Sequence, residues 1–387
     1  MKITRIETFG LEAPLPTPFG WSQAWVTRRR AVLVRVETDD DMEGWGEIYC
    51  QAPPVIYTAI VAELLAPHFL GADPWDRDVL WQAAYNATID AGQRGFVVGA
   101  LSALDSALWD IVGKACGQPV HRLLGGLARA HVRAYATGLY RQPGDDWIAA
   151  LPAEAVGYVE RGFRVVKMKV GFGIPLDVAA VRAVREAIGP DITLAVDANH
   201  AYKPVQAIEL GRRIAPYDIA WFEEPVSPED IAGYCEVRAR QPIPVAGGEL
   251  AYTRFGFRDL LERRAVDILQ PDLCLCGGLT EGRAIADLAR TWNVRCWAHV
   301  WGTGIAQATA MHFLGWMPTK SAYTDVDPLL VEWDNTPNPL RDQIVLNPPV
   351  YAAGSVAVPT DPGLGVTIDR AAVARFQTAH SLAGGKS

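Results

Sequence analysis

The chain has 387 residues, half of them hydrophobic and 21% charged, with a formal net charge of −8. That length suits two domains, or a barrel with an added cap. The acidic balance, with no basic run longer than Arg28-Arg29-Arg30, argues against a nucleic-acid partner.

The first part reads as a small α+β unit. Lys2 to Phe9 and Ala31 to Thr38 have strand patterns, Asp39-Asp40-Asp41 reads as a turn, and Gly44-Trp45-Gly46-Glu47 as a short returning strand. Apolar residues recur at helical spacing from Pro54 to Leu65 and again from Phe96 to Gly113. The second stretch is broken by Ser102, Asp105, Ser106 and Asp110, which argues against a membrane span. Gly117-Gln118-Pro119 predicts its end, and Gly125-Gly126 a boundary. The N-terminal Met-Lys-Ile-Thr-Arg-Ile-Glu has no apolar secretory core, so the expected location is cytoplasmic. Of the six cysteines only Cys274 and Cys276 are close, at neither a zinc nor a thioredoxin spacing. Buried reduced thiols are expected.

Beyond about residue 130, short apolar runs alternate with amphipathic stretches. Runs such as Val165 to Val170, Ile192 to Val196, Ile219 to Phe222 and Val266 to Leu269 flank segments such as Leu176 to Ile188, Pro204 to Ile214 and Thr280 to Thr291. This alternation predicts consecutive βαβ units. Seven or eight of them fit a modified (β/α)8 barrel of (β/α)7β type. A doubly wound sheet is the alternative, but no Gly-x-Gly-x-x-Gly loop occurs in the repeating region. The predicted organisation is an N-terminal α+β capping domain over residues 1–127, a (β/α) barrel over 128–330, and a C-terminal segment over 331–387 that returns to the cap.

One ionisable residue stands at or just beyond the end of each predicted strand across six units. These are Lys169, Asp197, Glu223, Glu249, Asp272 and His299, at intervals of 28, 26, 26, 23 and 27 residues. In a barrel all such strand ends open onto one rim, where the active sites of this fold sit. Asp197, Glu223 and Glu249 crowded together would repel, and a hard divalent cation relieves that. All-oxygen ligands favour Mg²⁺, Mn²⁺ or Ca²⁺ over Zn²⁺. The plain alternative is helix caps and salt bridges. Glu224 directly follows Glu223 and points to the opposite face if the strand continues. Asn199 is a second polar group at the rim, or a turn residue. Lys167 and Lys169 lie on one side of a strand, where a neighbouring ammonium lowers a lysine's pKa towards that of a useful base. An ion pair with Asp197 or Glu223 is the other reading. His299 with Asp272 supplies a second base, the carboxylate fixing the imidazole tautomer. Two bases around a metal suit removal of the weakly acidic proton next to a substrate carboxylate.

Lys167-Met-Lys169, Asp197-Ala-Asn199, Glu223-Glu224-Pro225, Gly248-Glu249, Gln270-Pro271-Asp272 and His299 in Ala-His-Val-Trp together resemble the enolase superfamily, mandelate racemase subgroup. The resemblance spans essentially the whole chain. It implies one Mg²⁺ per subunit on Asp197, Glu223 and Glu249, with Mn²⁺ as a substitute. It also implies Lys169 as one base and His299 with Asp272 as the other. Glu332 resembles the family's late acidic residue, which hydrogen-bonds the enolate oxygen. Gly92-Gln-Arg-Gly95, Asp197-Ala-Asn-His200, Ala246-Gly-Gly-Glu249, His299-Val-Trp-Gly-Thr-Gly304 and Thr336-Pro-Asn-Pro339 look most like the subgroup's galactarolactone cycloisomerases and acid-sugar dehydratases. Between Lys169 and residue 319 the only lysine is Lys203, which disfavours members that place a lysine on the sixth strand.

The resemblance therefore implies an acid sugar or its lactone as small-molecule substrate, cycloisomerised, dehydrated or racemised through one intermediate. It also suggests a homo-oligomer. A non-catalytic binding homologue would be expected to have lost a ligand or base, and all six positions are filled. Specificity is expected from the cap. Pro18-Phe19-Gly20-Trp21 with Arg28 to Arg30 suits a closing loop, and Tyr49 to Pro54 a second. One of these arginines, or Arg94, could bind a distal carboxylate. His200, Tyr202 and Trp301 could contact hydroxyls, with Phe19 and Trp21 above them.

Overall fold

The computed structural model describes residues 1–318 and 328–385. The chain starts with three antiparallel strands, β1 (Ile3–Gly20), β2 (Trp25–Thr38) and β3 (Glu43–Ile48). The acidic turn at residues 39–41 joins β2 to β3, with Asp41 at a φ of 61°. Helices α1 (Pro54–Ala59), α2 (Arg77–Thr88), α3 (Phe96–Cys116) and the short α4 (Val120–Leu124) complete the N-terminal unit. A π-helical turn over Ile60–Leu65 extends α1. By length and composition alone α3 could cross a membrane, yet 94% of its apolar window is buried inside the protein. It is pressed onto β3 because that strand carries glycine at 44 and 46. A Cβ at Gly46 would stand 1.9 Å from the Ala103 carbonyl oxygen. The polar residues that interrupt α3 tie it to its surroundings. Ser102 accepts a bond from Gly277 N, Asp105 holds Thr280, and Asp110 accepts from Trp45 N and Leu364 N. Gly117, at a φ of 62°, ends the helix where a left-handed residue is needed.

Strands and helices then alternate. They are β4 (His131–Thr137), α5 (Trp147–Glu160), β5 (Val165–Lys169), α6 (Ile174–Ile188), β6 (Thr193–Asp197), α7 (Pro204–Ile214), β7 (Ile219–Glu223) and α8 (Ile231–Arg240). There follow β8 (Val245–Gly247), α9 (Thr253–Glu262), β9 (Ile268–Leu269), α10 (Gly278–Trp292), β10 (Arg295–Cys296), α11 (Gly304–Trp316) and β11 (Leu330–Asp334). Eight parallel strands run in the order β11-β4-β5-β6-β7-β8-β9-β10. Among the described residues no ladder joins β10 to β11. β5 is buried along its whole length, as a parallel strand covered on both faces must be.

The chain returns through α12 (Pro339–Gln343), the hairpin β12 (Tyr351–Ala352) and β13 (Ser355–Ala357), α13 (Arg370–Phe376) and β14 (Gln377–Gly384). β14 pairs antiparallel with β1 and becomes the fourth strand of the cap sheet. Residues 331–334, expected in the C-terminal segment, belong instead to β11, because their backbone pairs with β4. The expected closing loop at 18–30 is also different. It is the end of a hairpin, and Arg28 to Arg30 lie on β2, held there by pairing with residues 12–14.

His121 of α4 and His312 of α11 meet where cap and barrel join. Their Nδ1 atoms are 3.2 Å apart and both rings are buried. Burial above all, with His121 alongside, pushes His312 down to about 3. A base whose folded pKa lies below its unfolded value costs nothing above about pH 6.5. Stability is then lost as pH falls from there towards 3. The loss expected from this group is of order 4 kcal/mol across that window. Urea midpoints at pH 7 and pH 4.5 should show a steeper acid slope for the parent than for His312→Asn. Equal slopes would refute the assignment.

Candidate active site

The strand register brings the ionisable residues together. Lys169 pairs with Asp197 across β5 and β6, and Asp197 with Glu223 across β6 and β7. An isolated bridge pairs Asp272 with His299. Lys169 Nζ lies 2.5 Å from Asp197 Oδ2 and 2.8 Å from Asn199 Oδ1. Lys167 Nζ donates to Glu223, and lies 2.8 Å from Glu332 Oε1 and 3.6 Å from Asp197 Oδ2. All of these groups are buried. Burial alone would lower the Lys167 pKa. The Glu223 and Glu332 carboxylates outweigh it and hold the ammonium well above its usual range. The expectation of a depressed lysine therefore fails for Lys167, which is an ion-pair centre.

Asp197, Glu223 and Glu249 each place an oxygen within 4.8 Å of the others, all buried. Burial raises Glu223 to about 7, against the pull of Lys167. Burial also raises Asp197, but Lys169 and Lys167 outweigh it and hold that carboxyl below its usual range. Glu223 Oε2 accepts from Trp221 Nε1 at 2.9 Å and Gln270 Nε2 at 2.7 Å. Glu224 does not continue the strand. Its φ is 40°, and Asn199 and His200 at the end of β6 are also left-handed. The turn buries the Glu224 side chain, and among the described residues neither of its carboxylate oxygens finds a hydrogen-bond partner. Burial, then Glu249 and Asp197, push that carboxyl well up. A buried anionic cluster with an orphaned fourth carboxylate needs more positive charge than the lysines supply. A hard divalent cation fits that donor set.

His299 Nδ1 is 2.6 Å from Asp272 Oδ2, and Asp272 Oδ1 accepts from Cys274 N. Nε2 therefore faces the other way, 3.6 Å from Glu249 and 3.8 Å from Glu332. Burial would lower this imidazole. Glu249, Glu332 and Asp272 together raise it to about 10 in the metal-free cluster, and a cation on Glu249 would bring it down again by cancelling that charge. Glu332 accepts from Thr137 Oγ1 at 2.6 Å and Val300 N at 3.0 Å, besides Lys167. Burial raises its carboxyl, but Lys167 and His299 hold it down at about 2.

The cluster opens into a cavity of about 520 Å³ whose lining includes Lys169, Asn199, His200, Glu249, His299 and Trp301. The cap supplies the far wall with Trp21, Arg29 and Tyr49. Ser22 fastens the hairpin tip, giving its hydroxyl proton to the Ala198 and Asn199 carbonyls. Trp21 packs edge-on against His200. Phe19 lies one layer back, packed on Tyr140 and Trp301. Tyr202 also stands back from the cavity, bonded to Asp177. Arg94 is not brought to the cavity. Its side chain, in the loop between α2 and α3, is 72% exposed and 3.8 Å from Glu229. Among the arginines that line the cavity from the cap, Arg29 is buried. It is paired with Asp334 at 2.7 Å and stacked 4.1 Å over Trp301. Tyr49, whose ring is 5.6 Å from that of His299, and Tyr140, 5.2 Å from Lys169 Nζ, were not singled out from sequence. Tyr49 sits at the start of the loop assigned to the cap. Tyr140 carried no signal, being one aromatic among many.

A cap over parallel strands, with three carboxylates between a lysine and a histidine, defines an enolase-type enzyme. Residues 5–125 match the mandelate racemase / muconate lactonizing enzyme N-terminal domain, and residues 150–372 the enolase C-terminal domain-like model. The chain belongs to the mandelate racemase / muconate lactonizing enzyme family of the enolase superfamily. It is 45% identical over 378 residues to D-galactarolactone cycloisomerase of Agrobacterium fabrum, covering 97% of this chain and 99% of that one. The crystal structure of 3,6-anhydro-D-galactonate cycloisomerase from Zobellia galactanivorans superposes with a TM-score of 0.88 at 40% identity, covering 98% and 100%. A racemase from Streptomyces coelicolor with bound magnesium superposes at 0.87 and 29% identity, covering 97% and 100%.

Proposed function

We propose that this enzyme removes the proton α to a carboxylate of an acid sugar or its lactone and then eliminates the β-oxygen. The favoured case is an aldaro-lactone of the galactarolactone type. One observation carries the reading. Lys169 on β5 and His299 after β10 both line a single cavity, and the carboxylate cluster of Asp197, Glu223 and Glu249 meets Lys169 at Asp197 and His299 at Glu249. Asp197, Glu223 and Glu249 would hold the metal, Mg²⁺ with Mn²⁺ as a substitute, and the bound ion supplies positive charge to the substrate carboxylate as its α-proton leaves. His299 offers Nε2 because Asp272 engages Nδ1. Lys169 offers an ammonium or amine on the other side, steadied by Asn199. One base takes the proton, and the C–H electron pair enters the enediolate. That pair then expels the β-oxygen, the ring C–O bond breaks, and the product is an isomer of the substrate. Expelling hydroxide instead makes the enzyme a dehydratase. Reprotonation by the opposite base makes it a racemase, the reading that the presence of two bases favours next. The substrate is a small molecule. A cytoplasmic homo-oligomer belongs to the same reading.

The test is a panel of aldarates, aldonates and lactones, with Mg²⁺ and with EDTA. Metal-dependent ring opening of a galactaro- or glucaro-lactone supports cycloisomerisation. Turnover of open-chain acids alone makes the enzyme a dehydratase. Solvent deuterium exchange without product makes it a racemase. No exchange in any acid sugar defeats the proposal.

The indole and amide donors on Glu223 Oε2 orient a ligand of the proposed metal. Trp221→Phe should weaken Mg²⁺ binding about 10–100-fold in a calorimetric titration. Unchanged affinity would remove this role from the indole.

A further inference from the structure

We infer that Glu47, on the cap strand β3, is a positioning residue for the barrel loop that carries His299. Its carboxylate is 2% exposed and meets the N-terminus of the 13-residue helix α11. It accepts from Thr303 N at 2.8 Å, Thr303 Oγ1 at 2.6 Å and Ala306 N at 3.0 Å. Exposed amides and the helix dipole both favour an anion there. The approach is close enough that a Cβ on Gly302 would stand 2.7 Å from Glu47 Oε1 and from the Ala306 Cβ, so a side chain there would push the carboxylate aside. The loop from His299 to Thr303 is thus clamped at both ends by buried carboxylates. Glu332 takes Val300 N at the start, and Glu47 takes Thr303 at the finish. Trp301 lies between them, under Arg29. The first clamp belongs to the barrel and the second to the cap. The aim of the imidazole therefore depends on a residue about 250 positions earlier in the chain. Lys169 is held differently: its partners Asp197 and Asn199 are barrel residues, and the cap bonds Asn199 through Ser22 at its backbone carbonyl, with no contact from Glu47.

A mere staple between domains would weaken both bases together, whereas a positioning role is one-sided. The exchange arm of the test rests on the proposed function, and a histidine spectrum supplies an arm that does not. In Glu47→Gln, α-proton exchange on the His299 side should slow about 10–100-fold, the loss that small misplacements cause. Exchange on the Lys169 side should stay within about twofold, and KM should change less than kcat. The ring ¹⁵N signals of His299 in ¹⁵N-histidine-labelled protein should shift or broaden without substrate. Thr303→Val, which removes one of the bonds, should show the same asymmetry more weakly and stands in if Glu47→Gln does not fold. Equal loss on both faces, or none on either, overturns the inference. If the parent exchanges no acid sugar, the proposed function fails instead. In that case an unchanged His299 signal in both variants overturns the inference on its own.

Discussion

Replacing His299 by Asn should lower kcat by about 10²–10⁴-fold, the usual contribution of a general base. Asn keeps a donor for Asp272 but has no basic nitrogen at the position of Nε2. The bond at 2.6 Å from Nδ1 to Asp272 leaves Nε2 as the imidazole nitrogen that can take a proton from a molecule in the cavity. Mg²⁺ affinity should be retained, because Asp197, Glu223 and Glu249 are unchanged. Exchange through Lys169 should also survive. The measurement is steady-state turnover beside deuterium incorporation followed by NMR. A kcat within tenfold of the parent would mean that His299 is not the base.

Lys167→Met should cost folding stability of about 3–5 kcal/mol when divalent metal is removed. The ammonium touches Glu223, Glu332 and Asp197, and none of these side chains is more than 1% exposed. Without it, Lys169 stays engaged with Asp197, and Glu223 and Glu332 lose the ammonium that lies against both of them. They must then take up protons or stay apart. Urea unfolding in EDTA gives the loss directly. Added Mg²⁺ should narrow the gap, since an ion bound only by the folded state stabilises it by mass action. If the variant unfolds at the parent's midpoint in EDTA, Lys167 does not neutralise the cluster.

The rim pattern was legible because a repeat of strand and helix gives each strand end a fixed place. Lys169, Asp197 and Glu223 are spaced about one unit apart in sequence, and the register sets them side by side. Other features depend on contacts that no local pattern encodes. Arg94 and Arg29 look alike as basic residues in the cap. The pairing of β2 with β1 turns Arg29 inward to Asp334, whereas Arg94, in the loop before α3, is left exposed beside Glu229. Glu224 could be placed on a strand face only if the strand continued, and its left-handed backbone shows that it does not. Glu332 falls in a C-terminal segment by sequence, because its strand β11 finds its place only by pairing with β4, some 195 residues earlier. Glu47 reads as one end of a Gly-Trp-Gly-Glu strand, and nothing in those four residues points to a helix that begins at Gly304.

The pairing of β14 with β1 also imposes an order on biosynthesis. Arg5 faces Gly384 and Phe9 faces His380, so the cap sheet lacks its fourth strand until the last part of the barrel has been translated. At about 5–20 residues per second the ribosome needs on the order of 20–70 s to cover that interval. During that time one edge of β1 has exposed amides and carbonyls, the kind of edge that recruits other chains. A nascent chain stalled before residue 377 should therefore be prone to aggregation and a ready client for chaperones, even with every residue of the catalytic cluster already made.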